Sequence, residues 1–420
     1  MTTLCGFCSL VLPLSLCLVT SAALLELSYS PDLPNETRIA STERIDEHVT
    51  GPPTSRFYRL EVTGTTIHSE RFDAAYASYS EDCRDEALQV SAYLSPGTYL
   101  FRCDTLLTFD GSLEELLKHD FESEDLPVPS EFLDAVHLSN MSSWRILVVQ
   151  DKNRTEKSPC QSLTEFLNQH GHWLNGEWKN FLCSMQGEYG SIVTRDYASP
   201  IYFHVRGDSV ARQIFLAMCT AVNASVTVSV AEDLTGRGTH MQCCDARTRQ
   251  LCFTYESTWL SLSSFSSASL VSSQYCTIAG KEDFCRQSMP DWFLNSPTKP
   301  FLLLFMGSHD ARLGCNENFC RRIRELSVAT QHEQKLLFGT TACVETQIPD
   351  KFGAQFILRN NARVASVNRC VHACDPTLKF VNLFFPSFML SRTAYGDAVH
   401  FNPESLAKAC LHALLEMYAH

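Results

Sequence analysis

The chain has 420 residues, of which 45% are hydrophobic and 19% charged, and its formal net charge is −13 at pH 7. Such a composition predicts a globular protein with a large apolar core and argues against a globally disordered chain. The acidic balance argues against nucleic acid and anionic membrane surfaces as ligands, because both need clustered Lys and Arg. The length predicts two domains, since single cores rarely grow beyond roughly 250–300 residues.

The chain begins with an apolar run that has a proline in its middle and no charged side chain. The run ends in small residues, which predicts a signal peptide over residues 1–23, cleaved after Ala22 or Ala23. An uncleaved signal anchor is the alternative, since about 22 apolar residues could just span a bilayer. No later run in the sequence is long and apolar enough to span, and the polar, Pro-rich residues 24–56 predict a stalk.

The chain has 19 cysteines, and three of them lie in the predicted leader. The sixteen that remain are an even number, which predicts disulfides in an oxidising compartment, although the spacing does not give their pairing. Four Asn-x-Ser/Thr sequences are candidate N-glycosylation sites, at Asn35, Asn140, Asn153 and Asn223. Together with the leader, these features predict a protein of the secretory pathway, either secreted or lumenal in the ER or Golgi.

Residues 57–160 have the alternating apolar pattern of β-strands. The predicted strands are 57–62, 89–94, 98–107 and 143–150, and a Ser-Pro-Gly turn separates the second from the third. Cys83 and Cys103 lie on or near these runs and could join them. The region therefore predicts a small β-sandwich-like domain ahead of the rest of the chain.

From residue 165 to 420, short continuous apolar runs alternate with helical patterns. The predicted strands are 200–205, 301–306, 335–339 and 380–385. Helices are predicted after Ser209, over 316–329 and at the C-terminus, where Asn402 is the cap. Continuous buried strands that alternate with helices predict an α/β domain with a mostly parallel sheet covered on both faces.

Gly207-Asp208-Ser209 stands where the predicted strand 200–205 gives way to a helix. An α/β fold presents reactive groups there, at the carboxyl end of a strand. Gly207 permits a tight turn, and the free N–H groups and positive dipole end at the helix start can stabilise an oxyanion beside Ser209. Taken alone, a helix cap is the commoner role of Asp or Ser at such a place.

A second motif, Gly396-Asp397-Ala398-Val399-His400, precedes the C-terminal helix. An Asp and a His three residues apart in a loop can place a carboxylate against one ring nitrogen and leave the other nitrogen for a serine hydroxyl. That arrangement fixes the tautomer and makes the His a base. The two motifs together predict a catalytic triad of Ser209, His400 and Asp397. The sequence lacks Gly-x-Ser-x-Gly, the motif of nucleophile-elbow hydrolases.

Gly207-Asp208-Ser209 with Arg212 after it, and Asp397-x-x-His400 near the C-terminus, resemble the SGNH/GDSL hydrolase superfamily. The similarity is to its PC-esterase branch. That branch includes the plant trichome-birefringence-like polysaccharide O-acetyltransferases, the lumenal domain of sialate O-acetyltransferase, and the neurexophilin-and-PC-esterase proteins. The resemblance covers roughly residues 170–420.

Two further segments fit the branch, Gly176-Glu177-Trp178 before the nucleophile and Gly307-Ser308-His309 after a predicted strand. Residues 97–111 resemble the immunoglobulin-like module of the neurexophilin type. The resemblance therefore implies an immunoglobulin-like domain over 57–160 and a catalytic domain over 165–420. For the catalytic domain it implies the three-layer α/β/α fold of the SGNH type.

The resemblance also implies a role for each matching residue. Ser209 would attack an acyl carbonyl and donate its amide to the oxyanion, His400 would take the serine proton, and Asp397 would orient His400. The remaining candidates for oxyanion or substrate contacts are Gly207, Asp208, Arg212, Gly307 and His309. The last of these stands where other SGNH enzymes have an Asn that donates to the oxyanion. No metal or other cofactor is implied.

These residues predict a serine-dependent O-acyl esterase or transferase with an acyl-serine intermediate, which by the resemblance acts on O-acetyl groups of glycans. A general lipid or ester hydrolase and a catalytically inactive glycan-binding protein of the same fold are the alternatives. A separation of Ser209 and His400 too large for a hydrogen bond would exclude the enzyme. The sequence leaves open the acyl acceptor, which is water or a sugar hydroxyl, and the oligomeric state.

Two cysteine clusters, Cys243-Cys244 and Cys370-x-x-x-Cys374, leave metal binding as an alternative to disulfides, which are the commoner use of cysteine in this compartment. His204, within the predicted strand before Ser209, is predicted to be a core histidine rather than a base. The sequence has no His-Glu-x-x-His motif and no phosphate-binding loop, which argues against the common metalloprotease and P-loop classes.

Overall fold

A computed structural model gives the fold. The residues that it describes are 26–28, 39–41, 55–66, 71–78, 94, 97–111, 113–118, 134, 136–138, 142–149, 158–168, 171–180, 183–184, 200–230, 240–245, 247, 250–257, 301–331, 334–344, 359–390 and 392–418. The described residues contain a seven-stranded mixed sheet, a five-stranded antiparallel sheet and three two-stranded pairs. The predicted leader over 1–23, the sites Asn35, Asn140 and Asn153, and Cys83 lie outside the described residues.

The strands, in chain order, are β1 (Glu26–Ser28), β2 (Ile39–Ser41), β3 (Ser55–Thr66), β4 (Arg71–Ser78), β5 (Gly97–Phe109), β6 (Val136–Leu138), β7 (Ser142–Val149), β8 (Ser158–Pro159), β9 (Gly171–Leu174), β10 (Glu177–Asn180), β11 (Cys183–Ser184), β12 (Ile201–Gly207), β13 (Thr227–Val230), β14 (His240–Cys244), β15 (Leu251–Ser257), β16 (Phe301–Phe305), β17 (Lys335–Phe338) and β18 (Phe380–Val381). The α-helices are α1 (Leu113–Lys118), α2 (Leu163–Asn168), α3 (Ser209–Ala221), α4 (Glu317–Ala329), α5 (Asn361–Cys374), α6 (Phe384–Phe388) and α7 (Glu404–Tyr418). Short 3-10 helices span Ser308–Leu313 and Arg392–Ala394.

The predicted β-rich region forms one antiparallel sheet, in which β3 lies between β4 and β5. Both β6 and β7 pair with the other side of β5. Along β5, Tyr99 and Phe101 are buried whereas Leu100 and Arg102 are exposed, because successive side chains of a strand point to opposite faces. Three of the strands predicted for this region are confirmed as parts of β3, β5 and β7. The fourth, 89–94, lies almost wholly outside the described residues.

The seven-stranded sheet has the order β13-β14-β15-β12-β16-β17-β18. The strands from β15 to β18 in this order are parallel, and β14 and β13 extend one edge antiparallel. The central strand β12 is buried from Phe203 to Gly207, as expected for a parallel strand covered on both faces. Its carboxyl end and that of β16 lie at the same edge of the sheet, so the segments that follow them are close in space.

A hydrophobic core lies on each face of this sheet. On one face, Val205 of β12 packs in a cluster with Phe215 of α3 and Leu411 of α7. On the other face, Leu304 of β16 packs with Ile323 of α4 and with the apolar side of α5. Both α3 and α4 begin after a capping side chain and have apolar residues at helical spacing, which is why these segments were predictable. The described residues therefore have helices on both faces of a mostly parallel sheet.

The predicted strand 380–385 is wrong beyond its first two residues. The strand β18 ends at Val381, and α6 begins at Phe384. The Asn382 side chain accepts a hydrogen bond at 3.0 Å from the amide of Phe384, the first residue of this helix. Pro386 then lies in the first turn, where its missing N–H leaves no helical hydrogen bond unmade. The apolar run alone could not distinguish strand from helix, because it is buried in both.

Contacts cross the predicted limits between the stalk, the β-rich domain and the α/β domain. Within the predicted stalk, residues 24–56, β1 pairs with β2 and β3 begins at Ser55. Helix α1 belongs to the predicted β-rich region, yet Leu116 is buried in the same core as β12 and β16. The Leu117 carbonyl accepts a hydrogen bond from the Cys315 amide at 3.0 Å. The β-rich and α/β regions therefore share part of one core.

Disulfides tie the α/β region together. Those in the described residues join Cys160 with Cys183, Cys219 with Cys243, Cys244 with Cys252, Cys315 with Cys370, and Cys320 with Cys374. The cysteines of both clusters that could have bound a metal are thus in disulfides and do not offer thiolate ligands. Cys103 is also disulfide-bonded. Such bonds indicate an oxidising compartment of the secretory type. No helix among the described residues has the length and apolar character to cross a bilayer.

Asn223→Gln is expected to remove one N-glycan from the protein when it is expressed through the secretory pathway. Asn223 is exposed at the end of α3, where φ is 53°, and therefore accessible to the glycosyl transfer that its sequon predicts. The measurement is the mass of each variant on a gel before and after treatment with peptide N-glycosidase. Asn175→Gln is the matched control, because Asn175 is also exposed, with φ 52°, but is not in a sequon. An unchanged mass of the Asn223 variant would contradict the prediction.

Candidate active site

The carboxyl end of β12 is closely packed around Gly207. A Cβ atom at this position would lie 2.4 Å from the Ala211 Cβ and 2.9 Å from the Phe305 Cβ. Glycine is therefore needed because α3 and β16 approach the backbone, and not because of a left-handed φ. The tight turn predicted for Gly207 is thus a close contact, which holds the start of α3 against the sheet.

Asp208 is the N-cap of α3. Its Oδ1 accepts hydrogen bonds from the Val210 amide at 2.9 Å and the Ala211 amide at 3.3 Å, so the carboxylate is directed at the helix backbone. The Arg212 amide donates to the Asp208 carbonyl at 3.0 Å. The amides of Val210, Ala211 and Arg212 therefore all have acceptors. Among the described contacts, the Ser209 amide is the one of the first four amides of α3 that is available to a ligand. The helix-cap role that the sequence offered as an alternative therefore applies to Asp208, and it leaves Ser209 at the first helical position.

Ser209, His400 and Asp397 form a continuous line of hydrogen bonds. The Ser209 Oγ lies 2.7 Å from the His400 Nε2, across 191 residues of sequence. The His400 Nδ1 lies 2.7 Å from the Asp397 Oδ2. With Nδ1 protonated, the ring donates to the carboxylate and its Nε2 accepts from the serine hydroxyl, which is the arrangement of a general base beside a nucleophile.

The Asp397 carboxylate is held by its own loop. Its Oδ1 accepts hydrogen bonds from the Val399 amide at 2.8 Å and the His400 amide at 2.7 Å. Burial raises the pKa of the Asp397 carboxyl, but the hydrogen bonds from the His400 and Val399 amides and from the His400 ring outweigh burial. The pKa therefore lies below its ordinary value of 3.8. Asp397 is thus charged at neutral pH and remains an acceptor for His400.

Residues that the sequence did not single out fix the loop that carries His400. The Val344 amide donates to the Ala398 carbonyl at 2.8 Å, and Cys343 packs against Ala398 in a small buried cluster. At the other end of the loop, the Tyr395 hydroxyl donates to the Ser387 carbonyl at 2.9 Å. These contacts join the segment after β17, the short helix α6 and the loop of His400. No local sequence pattern indicates these contacts, because the residues that form them are remote from one another in the chain.

Gly307 is a predicted oxyanion or substrate contact, and both its amide and its carbonyl are hydrogen-bonded within the protein. Its amide donates to the Asp310 carboxylate at 2.9 Å, and its carbonyl accepts from the Thr340 hydroxyl at 3.1 Å. The Gly307 amide is therefore occupied within its own turn. For His309, a second candidate in this segment, the structure describes the backbone but not the side chain. Among the predicted oxyanion donors, the Ser209 amide is the one whose position at a helix start suits the role.

His204 is a core residue, as the sequence predicted. It is 0% exposed, and its Nδ1 lies 2.8 Å from the Thr254 hydroxyl. On the same face, the Arg206 Nε lies 3.2 Å from the buried Glu256 carboxylate. These paired polar groups link β12 to β15 beneath the turn at 207–209, so they support the strand end that presents Ser209.

No known family model matches the sequence, and comparisons with curated proteins and with solved structures also gave no match. The chemistry of the site is therefore argued from the geometry of its own residues.

Proposed function

We propose that this protein is an SGNH-type serine esterase or O-acyltransferase of the PC-esterase branch. In this proposal it acts on O-acyl esters, in particular O-acetyl esters, of glycans in the secretory pathway. The observation that carries the proposal is the line of hydrogen bonds from Asp397 through His400 to Ser209. Nucleophilic catalysis by a serine requires this arrangement of hydrogen bonds, whereas a helix cap does not require a contact between Ser209 and His400.

In the first half-reaction, the Ser209 Oγ attacks the acyl carbonyl carbon as its proton passes to the His400 Nε2. The Asp397 carboxylate stabilises the imidazolium that forms. The oxyanion accepts a hydrogen bond from the Ser209 amide, assisted by the positive end of the α3 dipole. The ester bond then breaks, and His400 returns the proton to the leaving sugar oxygen, which leaves the acyl group on Ser209.

In the second half-reaction, water or a sugar hydroxyl gives its proton to His400 and its oxygen attacks the acyl carbon. The Ser209 oxygen leaves and takes the proton back from His400. Water as acceptor makes the protein an esterase, and a sugar hydroxyl makes it a transferase. The same three residues serve both outcomes, and neither half-reaction requires a metal or other cofactor.

The setting of the triad supports the choice of an SGNH-type enzyme. The nucleophile follows the central strand of a mostly parallel sheet with a hydrophobic core on each face. The base and its carboxylate lie in the last loop, directly before the C-terminal helix. The disulfides fit enzymes that work in the secretory pathway, where glycans are modified. The glycan substrate itself rests on the resemblance of the motifs.

The test is labelling of the purified secreted protein with a fluorophosphonate probe, which reacts with activated serines. We expect labelling of the wild type and none of Ser209→Ala or His400→Ala. Ser162→Ala is a matched control, because Ser162 also stands at the start of a helix, where its hydroxyl accepts a hydrogen bond from the Glu165 amide at 3.0 Å. Labelling that persists in the Ser209 variant, or a folded wild type that is not labelled, would overturn the proposal.

The same variants distinguish the substrate classes. O-acetylated oligosaccharides and acetylated lipid esters are offered to the wild type, and the released or transferred acetyl group is measured. Turnover of the sugar esters that is lost in Ser209→Ala supports the glycan substrate. Turnover confined to the lipid esters would favour the general ester hydrolase, and turnover of neither, without probe labelling, would favour a binding protein.

The acid limb of the labelling rate is expected to have a slope of one in a plot of log rate against pH. The pKa of Asp397 lies below 3.8 in the folded state, so this carboxyl stays charged as the pH falls to that value. The depressed pKa of Asp397 stabilises the folded state at pH values above the ordinary pKa of 3.8. This stabilisation is lost as the pH falls below 3.8 and through the lower pKa of the folded state. Asp397 therefore adds no second protonation to the acid limb over the measured range. Rates measured between pH 4 and 8 check this, and a slope of two would contradict it.

A further inference from the structure

Tyr255 lies beneath the turn that carries the nucleophile. It is on β15, which pairs with β12, and it is 1% exposed. Its hydroxyl lies 3.1 Å from the Gly207 carbonyl oxygen and 3.0 Å from the Asp208 carbonyl oxygen, across 48 and 47 residues of sequence. A buried hydroxyl needs an acceptor, and the Tyr255 proton is shared between these two. The contacts therefore join a neighbouring strand to the two carbonyls that precede Ser209.

The second of these carbonyls belongs to the same peptide unit as the Ser209 N–H. Because a peptide unit is planar and trans, the direction of its carbonyl fixes the opposite direction of its N–H. The Asp208 carbonyl accepts from both the Tyr255 hydroxyl and the Arg212 amide, at 3.0 Å each. Two donors on a carbonyl also polarise the peptide, which makes its N–H a stronger donor. The hydrogen bonds from Tyr255 and Arg212 to the Asp208 carbonyl thus orient the Ser209 amide and make it a stronger hydrogen-bond donor.

We propose that Tyr255 is a positioning residue for the oxyanion donor of this site. Its hydroxyl holds the Asp208–Ser209 peptide so that the Ser209 amide faces the charge that develops on the acyl oxygen. The inference rests on the proposed function, since it assigns a residue to that same site. It differs from a packing role, because the Tyr255 ring packs on Phe215 with centroids 5.5 Å apart whether or not the hydroxyl is present.

The variant that isolates the hydroxyl is Tyr255→Phe, which keeps the ring. Loss of a direct oxyanion donor lowers a rate by roughly 10²–10³-fold. The variant keeps the Ser209 amide and loses only its alignment, so we expect the second-order rate constant of fluorophosphonate labelling to fall about 10-fold. The same loss is expected in the affinity for a boronic acid, which adds to the serine oxygen and puts a hydroxyl in the oxyanion position.

Thr330→Val is the matched control. The Thr330 hydroxyl is also buried and donates to a backbone carbonyl, that of Leu326, at 2.8 Å. The Thr330 carbonyl accepts a hydrogen bond from Lys335, the first residue of β17. Thr330 therefore lies near the amino ends of the parallel strands, whereas Ser209 follows the carboxyl end of β12. Labelling and boronate affinity of this variant should stay within about twofold of the wild type, since the catalytic turn is untouched.

Two further readouts separate positioning from general damage. The shape of the pH profile of labelling should be unchanged in Tyr255→Phe, because the contact of His400 with Asp397 is unchanged. Amide hydrogen exchange in a peptide covering 207–212 should become faster, since the turn loses a support. Unchanged labelling and exchange would overturn the inference. A wild type that is not labelled would overturn the proposed function instead, and the exchange measurement would still decide whether Tyr255 holds the turn.

Discussion

Asp397→Asn is expected to lower the second-order rate constant of fluorophosphonate labelling about 10⁴-fold with little loss of stability. The reason lies in the hydrogen bonds that the Asp397 Oδ1 accepts from the Val399 and His400 amides. In the variant, the side-chain oxygen must stay on these amides, because an NH₂ group there would face two donors. The NH₂ group is then directed at the His400 Nδ1.

This orientation imposes the wrong tautomer on His400. A ring nitrogen that faces an NH₂ group has to accept, so the ring proton moves to Nε2, which lies 2.7 Å from the Ser209 Oγ. A protonated Nε2 donates to the serine and cannot take its proton. The loop itself is preserved, since the Val399 and His400 amides keep their acceptor. The effect is therefore on the chemistry and not on folding.

The control for this variant is Glu404→Gln, the same change of a carboxylate to an amide at the start of α7. Glu404 is exposed and pairs with Lys408 at 2.7 Å, so its loss should change neither labelling nor the unfolding temperature beyond the small effect of a surface pair. Thermal unfolding is followed for both variants beside the labelling rate. If Asp397→Asn kept a tenth or more of the wild-type rate, Asp397 would not set the tautomer of His400.

The main strands and helices of the α/β region could be predicted because their patterns are local. The runs 200–205, 301–306 and 335–339 are largely apolar, as is typical of strands buried on both faces, and they form most of β12, β16 and β17. The segment 316–329 has an Asn cap and an apolar stripe, and it forms α4. The order of the strands could not be predicted, because β15 lies beside β12 through pairings that sequence spacing does not encode.

The candidate triad was predictable for a similar reason. Asp397 and His400 are three residues apart, and the turn between them is closed by the Gly396 amide, which donates to the His400 carbonyl at 2.8 Å. Ser209 was predictable as a serine at a strand-to-helix junction. The supports of the site were not, because Tyr255 and Val344 act through hydrogen bonds to residues far away in the chain. Their sequence neighbourhoods resemble those of ordinary core residues.

Arg363→Met is expected to lower the free energy of unfolding by about 3–5 kcal/mol. The variant leaves several buried carbonyls without a hydrogen-bond donor, and each such loss costs about 1–3 kcal/mol. Arg363 is 0% exposed in the first turn of α5. Its guanidinium donates to the carbonyls of Leu116 at 2.6 Å, Ala311 at 3.0 Å and Arg312 at 2.6 Å. Methionine fills a similar volume and donates nothing.

Urea unfolding followed by tryptophan fluorescence measures this loss. Arg321→Met is the matched control, because Arg321 is exposed on α4 and bonds only the Asn318 side chain, at 3.3 Å, among the described contacts. Surface changes of this kind shift stability by about 0.5 kcal/mol or less. Equal unfolding midpoints of the two variants would contradict the structural role of Arg363.

The same arginine decides how independent the two predicted domains are. One of its acceptors, Leu116, lies in the predicted β-rich domain, and the other two lie in the 3-10 helix after Gly307, beside the candidate active site. A chain in which the predicted leader, residues 1–23, is joined to residue 157 would keep Cys160 but lack the Leu116 acceptor and the core side chains around it. We expect this chain to be retained in the cell and not secreted. A secreted fragment with the wild-type unfolding midpoint would show that the α/β region folds alone. A fragment that is not secreted, together with a destabilised Arg363→Met, would mean that the α/β region depends on its contacts with the β-rich region, of which the Arg363 hydrogen bond to Leu116 is one.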